Sequence, residues 1–146
     1  MLIDTYKRYQ LNIEDIYFSH GIIPSRADLT RYIQCIKKHP SSKKFTTNIL
    51  SLNLSDAQIK KDFRKSVRSE INQAIKKHSV QCEIFYKPND LKIDQFCQFF
   101  DGIASVKKIN HANITKLKRM KKNIIISEAY FEEERVVSHL YIFDKN

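Results

Sequence analysis

Four closely spaced cations are the residues of this chain whose types and spacing most clearly suggest chemistry. Lys61, Arg64, Lys65 and Arg68 lie within eight consecutive positions. Cations at this density contact the phosphates of a polyanion, which gives affinity without base readout. We predict an anion-binding surface for tRNA or a phosphate-bearing carrier. The alternative is a solvated helix face, because basic helix surfaces are common and solubilising.

One amphipathic helix, residues 55–78, is predicted to carry these cations. Ser55 and Gln58 form a capping-box pattern at its start. Its apolar residues recur every fourth position and share one face of a helix: Ile59, Phe63, Val67, Ile71 and Ile75. That face should pack against a core and leave the cations on the solvent side.

The segments before and after this helix predict strands. Residues 1–44 should hold two strand-like segments and then a helix that begins near Ser25 and ends at Pro40. Further strands are predicted at 45–53 and 80–88.

Two helices and a hairpin are predicted to follow. The helices span 90–105 and 114–122, and the two strands of the hairpin, 123–131 and 135–143, flank an acidic turn. The fold class is therefore α+β, with a mixed sheet and flanking helices, in a single domain of residues 1–146.

The composition describes an ordered chain with an anionic partner. A chain of 146 residues can bury a sizeable core, and its net charge of +10 favours RNA, a phosphate-bearing carrier, a nucleotide or a membrane surface. Many lysine-rich proteins are simply basic, which is the plain alternative. Neither a leader nor a transmembrane run is visible, so we expect a cytoplasmic protein.

The three cysteines, Cys35, Cys82 and Cys97, show no disulfide or zinc-ligand spacing. We therefore predict three reduced packing residues and no metal site.

The last predicted strand suggests an unfinished sheet. Residues 136–143 are strongly apolar and are followed by the polar cluster Asp144, Lys145 and Asn146, where another strand should return. We expect that the C-terminal strands of the fold are missing. A homodimer formed by pairing this strand with its copy is the alternative.

The order of these segments resembles the peptidoglycan interpeptide-bridge aminoacyltransferases, the Fem family, over residues 45–144. The resemblance rests on the helix sequence RKSVRSEINQAIKKH, on residues 109–117 and on VVSHLYIFD at 136–144. It implies a GNAT fold, with helices 90–105 and 114–122 on the acceptor side and the hairpin in the middle of the central sheet.

The resemblance also implies an activity in the synthesis of cell-envelope peptidoglycan or polysaccharide. Such enzymes transfer an acyl group from coenzyme A, or an aminoacyl group from tRNA, to an amine. The donor is implied by resemblance alone, because the only glycines are Gly21 and Gly102 and no glycine-rich phosphate loop occurs. We expect the chain to be inactive by itself; a non-enzymatic basic module that binds RNA or another polyanion is the alternative function.

Transfer to an amine requires a group that removes a proton and dipoles that stabilise an oxyanion. His139 and Glu128, on the two strands of the hairpin, are the candidate catalytic residues. The alternative for His139 is a hydrogen-bonded sheet histidine, since histidine is often partly buried.

Overall fold

The computed structural model describes residues 1–37, 43 and 54–144. These residues form four α-helices and two three-stranded sheets, which confirms the predicted α+β class. The described strands are divided between two sheets, whereas one mixed sheet was predicted.

The first sheet contains β1 (Leu2–Arg8), β2 (Leu11–Tyr17) and β3 (Leu29–Ile33) in that order. The β1 and β2 strands are antiparallel and joined by a two-residue turn, while β3 runs parallel to β2. The two predicted N-terminal strands are therefore confirmed.

The predicted helix that begins near Ser25 is wrong, because β3 occupies part of its range. The Ser25 hydroxyl donates to the Glu14 carboxylate at 2.6 Å and does not cap a helix. The Asp28 carboxylate, predicted to belong to a first helical turn, accepts from the backbone N–H of Asn12 at 2.7 Å. Threonine, tyrosine and isoleucine within β3 favour extended backbone and fit a sheet position.

The predicted helix at 55–78 is divided into α1 (Asp56–Asp62) and α2 (Lys65–Lys76). The capping box at Ser55 is confirmed. Phe63 and Arg64 have extended backbone and interrupt the helix. The strand predicted at 45–53 lies outside the described residues.

The second sheet contains β4 (Gln81–Tyr86), β5 (Ile124–Phe131) and β6 (Glu134–Ile142) in that order. Between β4 and β5 lie α3 (Asp90–Lys107), α4 (Ile114–Arg119) and one 3-10 turn. The predicted strand at 80–88, the two helices and the hairpin are thus confirmed.

Neighbouring strands of the second sheet run in opposite directions. The N–H of Lys87, just after β4, donates to the carbonyl of Ile124, the first residue of β5, at 3.0 Å. The N–H of Phe143, just after β6, donates to the carbonyl of Asn123 at 3.0 Å. Both bonds join the end of one strand to the start of its neighbour, which is an antiparallel arrangement.

The chain divides into two compact units. The first comprises Met1–Phe45, Phe85–Ile126 and Leu140–Asn146, and the second comprises Thr46–Ile84 and Ser127–His139. The buried apolar residues of the described chain all belong to the first unit and come mainly from β2, α3 and β5. Among the described residues of the second unit, only Glu128 is buried.

Buried ion pairs connect α4 with the N-terminal sheet inside the first unit. Asp15 is fully buried and accepts from Arg31 through two bonds of 2.7 Å and from the Lys116 ammonium at 3.0 Å. Asp4 accepts from Arg119 through two bonds of 2.9 Å. Forked guanidinium–carboxylate pairs fix orientation as well as distance, so these contacts hold α4 against β1 and β2.

Two further sequence predictions are tested by the fold. Cys97 is buried as predicted, but Cys82 is exposed and is not a packing residue. Within the described ranges, no helix is both long enough and apolar enough to cross a membrane.

Candidate functional site

A carboxylate occupies the buried face of β5. Side chains along this strand alternate in exposure, and Glu128 follows Ile124 and Ile126 on the buried face. Glu128 is only 2% exposed, at a position where the alternation favours an apolar residue. Burying a charge costs free energy unless partners compensate, so its surroundings decide whether it stays ionised.

Three side chains of the β5–β6 hairpin bind the Glu128 carboxylate. The Arg135 guanidinium donates to Oε1 at 2.7 Å, and the Tyr130 hydroxyl donates to Oε2 at 2.5 Å. The Ser138 hydroxyl donates to Oε1 at 3.4 Å. The buried charge is therefore paired with a cation and fixed in orientation from both oxygens.

The hairpin needs an irregularity in β6 to build this cluster. Arg135 and Ser138 are three positions apart, so a regular strand would direct them to opposite faces. Val136 and Val137 are both exposed, and regular alternation resumes from Ser138 onward. We infer a β-bulge at these two valines, which brings Arg135 onto the same face as Ser138.

The turn of the hairpin is strained. Glu132 and Glu133 have φ values of 50° and 67°, the left-handed conformation required at both central residues of a type I′ turn. Asparagine and glycine are the usual residues there, because a longer side chain in this region costs free energy. Strain of this kind often accompanies a functional requirement for the side chains involved.

A cavity of about 710 Å³ lies beside this turn, within the second unit. Residues that follow α2, the start of β4 and the end of the hairpin line it. Three carboxylates, three rings and one lysine belong to its wall: Glu83, Glu132, Glu133, His78, Tyr130, Phe131 and Lys77. The rings of His78 and Phe131 meet edge to face, with centroids 6.2 Å apart.

Tyr130 connects the buried carboxylate with the cavity, since it binds Glu128 and also lines the cavity wall. The hydrogen bond to Glu128, burial and the Glu128 charge together raise the pKa of Tyr130 to about 12. All three causes favour the neutral phenol. Near neutral pH the Tyr130 hydroxyl is therefore protonated and donates to Glu128.

The two candidate catalytic residues occupy different environments. Glu128 forms the centre of the cluster described above. His139 is exposed on β6 and is not among the residues that line the cavity. Sequence reasoning did not identify Tyr130 or Arg135, although an acidic residue in register with two isoleucines was a visible signal for a buried, paired carboxylate.

The four predicted anion-binding residues are all exposed. Lys61 lies in the last turn of α1. Arg64, Lys65 and Arg68 lie at the start of α2. The Arg68 guanidinium donates to the backbone carbonyl of Lys61 at 2.8 Å, which satisfies an acceptor that the helix break leaves open. Arg68 therefore also has a structural contact at the junction of the two helices.

Within the described part of the chain, no group of three histidine, cysteine or acidic side chains is placed to hold a metal ion. Comparison with known proteins finds no family model, curated protein or solved structure that matches this chain. The interpretation of the site therefore depends on its own geometry and chemistry.

Proposed function

We propose that this chain supplies the amine-acceptor side of an N-acyl- or aminoacyltransferase of cell-envelope biosynthesis. The observation that carries the proposal is a buried carboxylate, Glu128, that is linked through Tyr130 to a cavity rich in acidic side chains. The succession of β4, α3, α4 and the β5–β6 hairpin adds support, because it is the order that the resemblance to the Fem family implies.

The cavity suits the ammonium form of an amine. Glu83, Glu132 and Glu133 outnumber Lys77, the one lysine among the described residues of the wall, so the balance of charge on the lining is negative and favours a cation. The rings of Tyr130 and Phe131 offer faces and edges for the hydrocarbon part of the acceptor and for cation–π contact. An amine carried on an apolar chain is thus the substrate class that matches the wall.

Glu128 and Tyr130 provide a route for the proton that an attacking amine must lose. A bound ammonium first gives one proton to solvent, which leaves the neutral amine as the nucleophile. As the new C–N bond forms, the leaving group departs with its electron pair and the nitrogen gives up a second proton. The Tyr130 oxygen can accept that proton while the Tyr130 hydroxyl proton passes to Glu128, to which it is already hydrogen-bonded. The Arg135 guanidinium holds the carboxylate in orientation before the transfer.

We assign no step to the acyl donor. A pyrophosphate cradle needs closely spaced glycines or exposed backbone amides in a loop. Neither Gly21 nor Gly102 has a positive φ, and Gly102 lies inside α3. The described residues do not fit a site for coenzyme A, so the proposal concerns the acceptor.

Calorimetric titration with a matched pair of ligands tests the acceptor site. Nα-acetyl-lysine amide carries a free side-chain amine, and its Nε-acetylated analogue keeps the backbone and alkyl chain but replaces the charged amine by a neutral amide. We expect the free amine to bind at least about tenfold more tightly, as for loss of a charged hydrogen bond. Equal binding of the two ligands, or no binding of either, contradicts the proposal.

A set of variants tests whether the amine binds in the cavity. Replacing Glu132 and Glu133 together by glutamine should weaken binding of the amine, since both line the wall. Glu134→Gln is the control, because Glu134 is adjacent in sequence and does not line the cavity. An equal loss of affinity in the control would show that only the net charge of the turn matters.

A further inference from the structure

The α1 and α2 helices carry an apolar stripe that the described part of the fold leaves largely uncovered. No residue of either helix is fully buried. On α2, Val67 is 37% exposed and Ile75 is 59% exposed, and the side chains of Ile71 and Ala74 on the same face are partly exposed. A helix of this kind normally buries its apolar stripe, so the face is available to a partner.

Cations are concentrated in the segment that spans the end of α1 and the start of α2. Residues 60–68 contain five cations, Lys60, Lys61, Arg64, Lys65 and Arg68, against the single acid Asp62. All five cations are exposed. Arg68 precedes Ile71 by three positions and Ile75 by seven, so it lies within about 60° of both around α2 and borders the apolar stripe.

We propose that α1 and α2 dock on an anionic lipid surface. The exposed stripe inserts at the headgroup boundary, while the cations contact the charged headgroups. Lysine and arginine suit this arrangement, since their hydrocarbon stems can lie along an apolar surface and keep the charge in water. An exposed apolar face beside a dense basic segment is the pattern of helices that lie in a membrane interface.

The combination of the two features selects lipid over other anionic partners. An RNA would be bound by the cations alone and would gain little from an exposed valine and isoleucine on a helix. A lipid surface uses both features, because apolar burial and headgroup attraction add. Each cation near an anionic leaflet contributes roughly a fivefold gain in binding.

Vesicle co-sedimentation provides the first test. The full chain should bind vesicles of phosphatidylcholine mixed with phosphatidylserine and should bind pure phosphatidylcholine at least about tenfold more weakly. Replacing Lys61, Arg64 and Lys65 together by glutamine should reduce binding about a hundredfold. No binding to the anionic vesicles would overturn the proposal.

A charge-matched control separates this surface from overall charge. Lys7, Lys107 and Lys122 are exposed lysines outside the two helices, and replacing all three by glutamine removes the same charge. Binding should fall by less than about fivefold, since distant charges are screened in salt. A loss as large as in the helix variant would overturn the localisation to α1 and α2.

Single tryptophans report on the apolar stripe, because the chain has no native tryptophan. Ile75→Trp lies on the stripe, and Lys76→Trp lies about 100° away around the same helix. Anionic vesicles should shift the emission of the first variant to the blue and leave the second nearly unchanged. Equal shifts, or none at Ile75→Trp, would contradict insertion of this face.

The double variant Val67→Ser with Ile75→Ser distinguishes lipid from RNA. Both side chains are partly or largely exposed, so helical circular dichroism should be preserved. Vesicle binding should fall at least about tenfold as apolar burial is lost. Unchanged vesicle binding, accompanied by salt-sensitive binding to oligouridylate, would instead assign the surface to RNA and overturn the lipid proposal.

Discussion

The Tyr130 hydroxyl donates its proton to the buried Glu128 carboxylate, and the Tyr130 side chain lines the cavity. Its pKa of about 12 exceeds the ordinary value of 10.0, because the hydrogen bond to Glu128, burial and the Glu128 charge favour the neutral phenol. The Tyr130–Glu128 hydrogen bond therefore contributes its full stabilisation below pH 10, and this stabilisation is lost as the pH rises through about 12.

Ultraviolet titration of tyrosinate checks this property. In the wild type, one tyrosine should ionise about two pH units above a normal tyrosine, and Tyr130→Phe should remove that late step. The same variant should lose less unfolding free energy than the wild type between pH 10 and 12. Ionisation of all tyrosines in one normal step would contradict the assigned hydrogen bond.

Asp15 provides a second test at the level of one side chain. Burial raises its pKa, but hydrogen bonds and charges from Arg31 and Lys116 outweigh burial, so the pKa is lowered overall. The stabilisation is present above the ordinary pKa of aspartate and is lost as the pH falls through the lower folded-state pKa. Acid should therefore weaken the attachment of α4 to β2.

Asp15→Asn should lower the unfolding free energy by about 3 kcal/mol in urea denaturation, because it leaves two cations beside a neutral group. Asp90→Asn is the matched control, since Asp90 pairs with Lys121 on the exposed surface. Exposed pairs contribute little, and the control should unfold like the wild type. Equal loss in both variants would contradict the role assigned to burial.

Only some of the site residues could be predicted from the sequence. Glu128 was identified from the chemistry that an acyl transfer needs, and the four helix cations from their density. Tyr130 was missed although it shares a face of β5 with Glu128, and Arg135 was missed because the bulge that we infer in β6 has no period in the sequence. The pairing depends on the hairpin register, which the pattern of side chains alone does not determine.

Among the elements, the turn between β5 and β6 concentrates strain at two residues that also line the cavity. Replacing Glu132 by asparagine and Glu133 by glycine gives the usual type I′ pair. The unfolding free energy should rise by about 1–2 kcal/mol, because the left-handed backbone is less costly for these residues. Denaturation in urea measures the gain.

The same double variant should bind the free amine of the lysine ligand more weakly, since two cavity carboxylates are lost. The double glutamine variant serves as the control: it should lose affinity without gaining stability, because glutamine and glutamate have the same backbone preference. A turn variant that gains stability and keeps full affinity would show that the strained glutamates have no part in binding.

Element prediction succeeded where local patterns agreed with tertiary contacts. Apolar spacing identified α3, and period-two alternation identified β5 and β6. The helix predicted from Ser25 was wrong because Ser25 and Asp28 form hydrogen bonds with residues of β2 instead of capping a helix. The break between α1 and α2 was not predicted, because neither glycine nor proline marks it. The hydrogen bond from Arg68 to the Lys61 carbonyl is visible only in the fold.

At the scale of the whole molecule, buried apolar contacts are distributed unevenly. The buried apolar residues of the described chain belong to the first unit, whereas α1, α2 and the tip of the hairpin have few protected positions. Regions with little burial open at low free-energy cost. Local stability should therefore differ strongly between the two units.

Hydrogen–deuterium exchange resolved by peptide checks this expectation. Amides of α3 and the first half of β5 should exchange at rates close to the limit of global unfolding. Amides of α1 and α2 should exchange at least about a hundredfold faster, as for segments that open locally. Uniform protection across the described residues would contradict this distribution of stability.

The most direct test of the amine-acceptor claim is a two-dimensional ¹H–¹⁵N NMR titration of the full chain with Nα-acetyl-lysine amide. We expect concentration-dependent shifts for amides at the start of β4 and the tip of the β5–β6 hairpin, and no such shifts with the Nε-acetylated analogue. Shifts elsewhere alone, or identical shifts with both ligands, would contradict an acceptor site beside Tyr130 and Glu128.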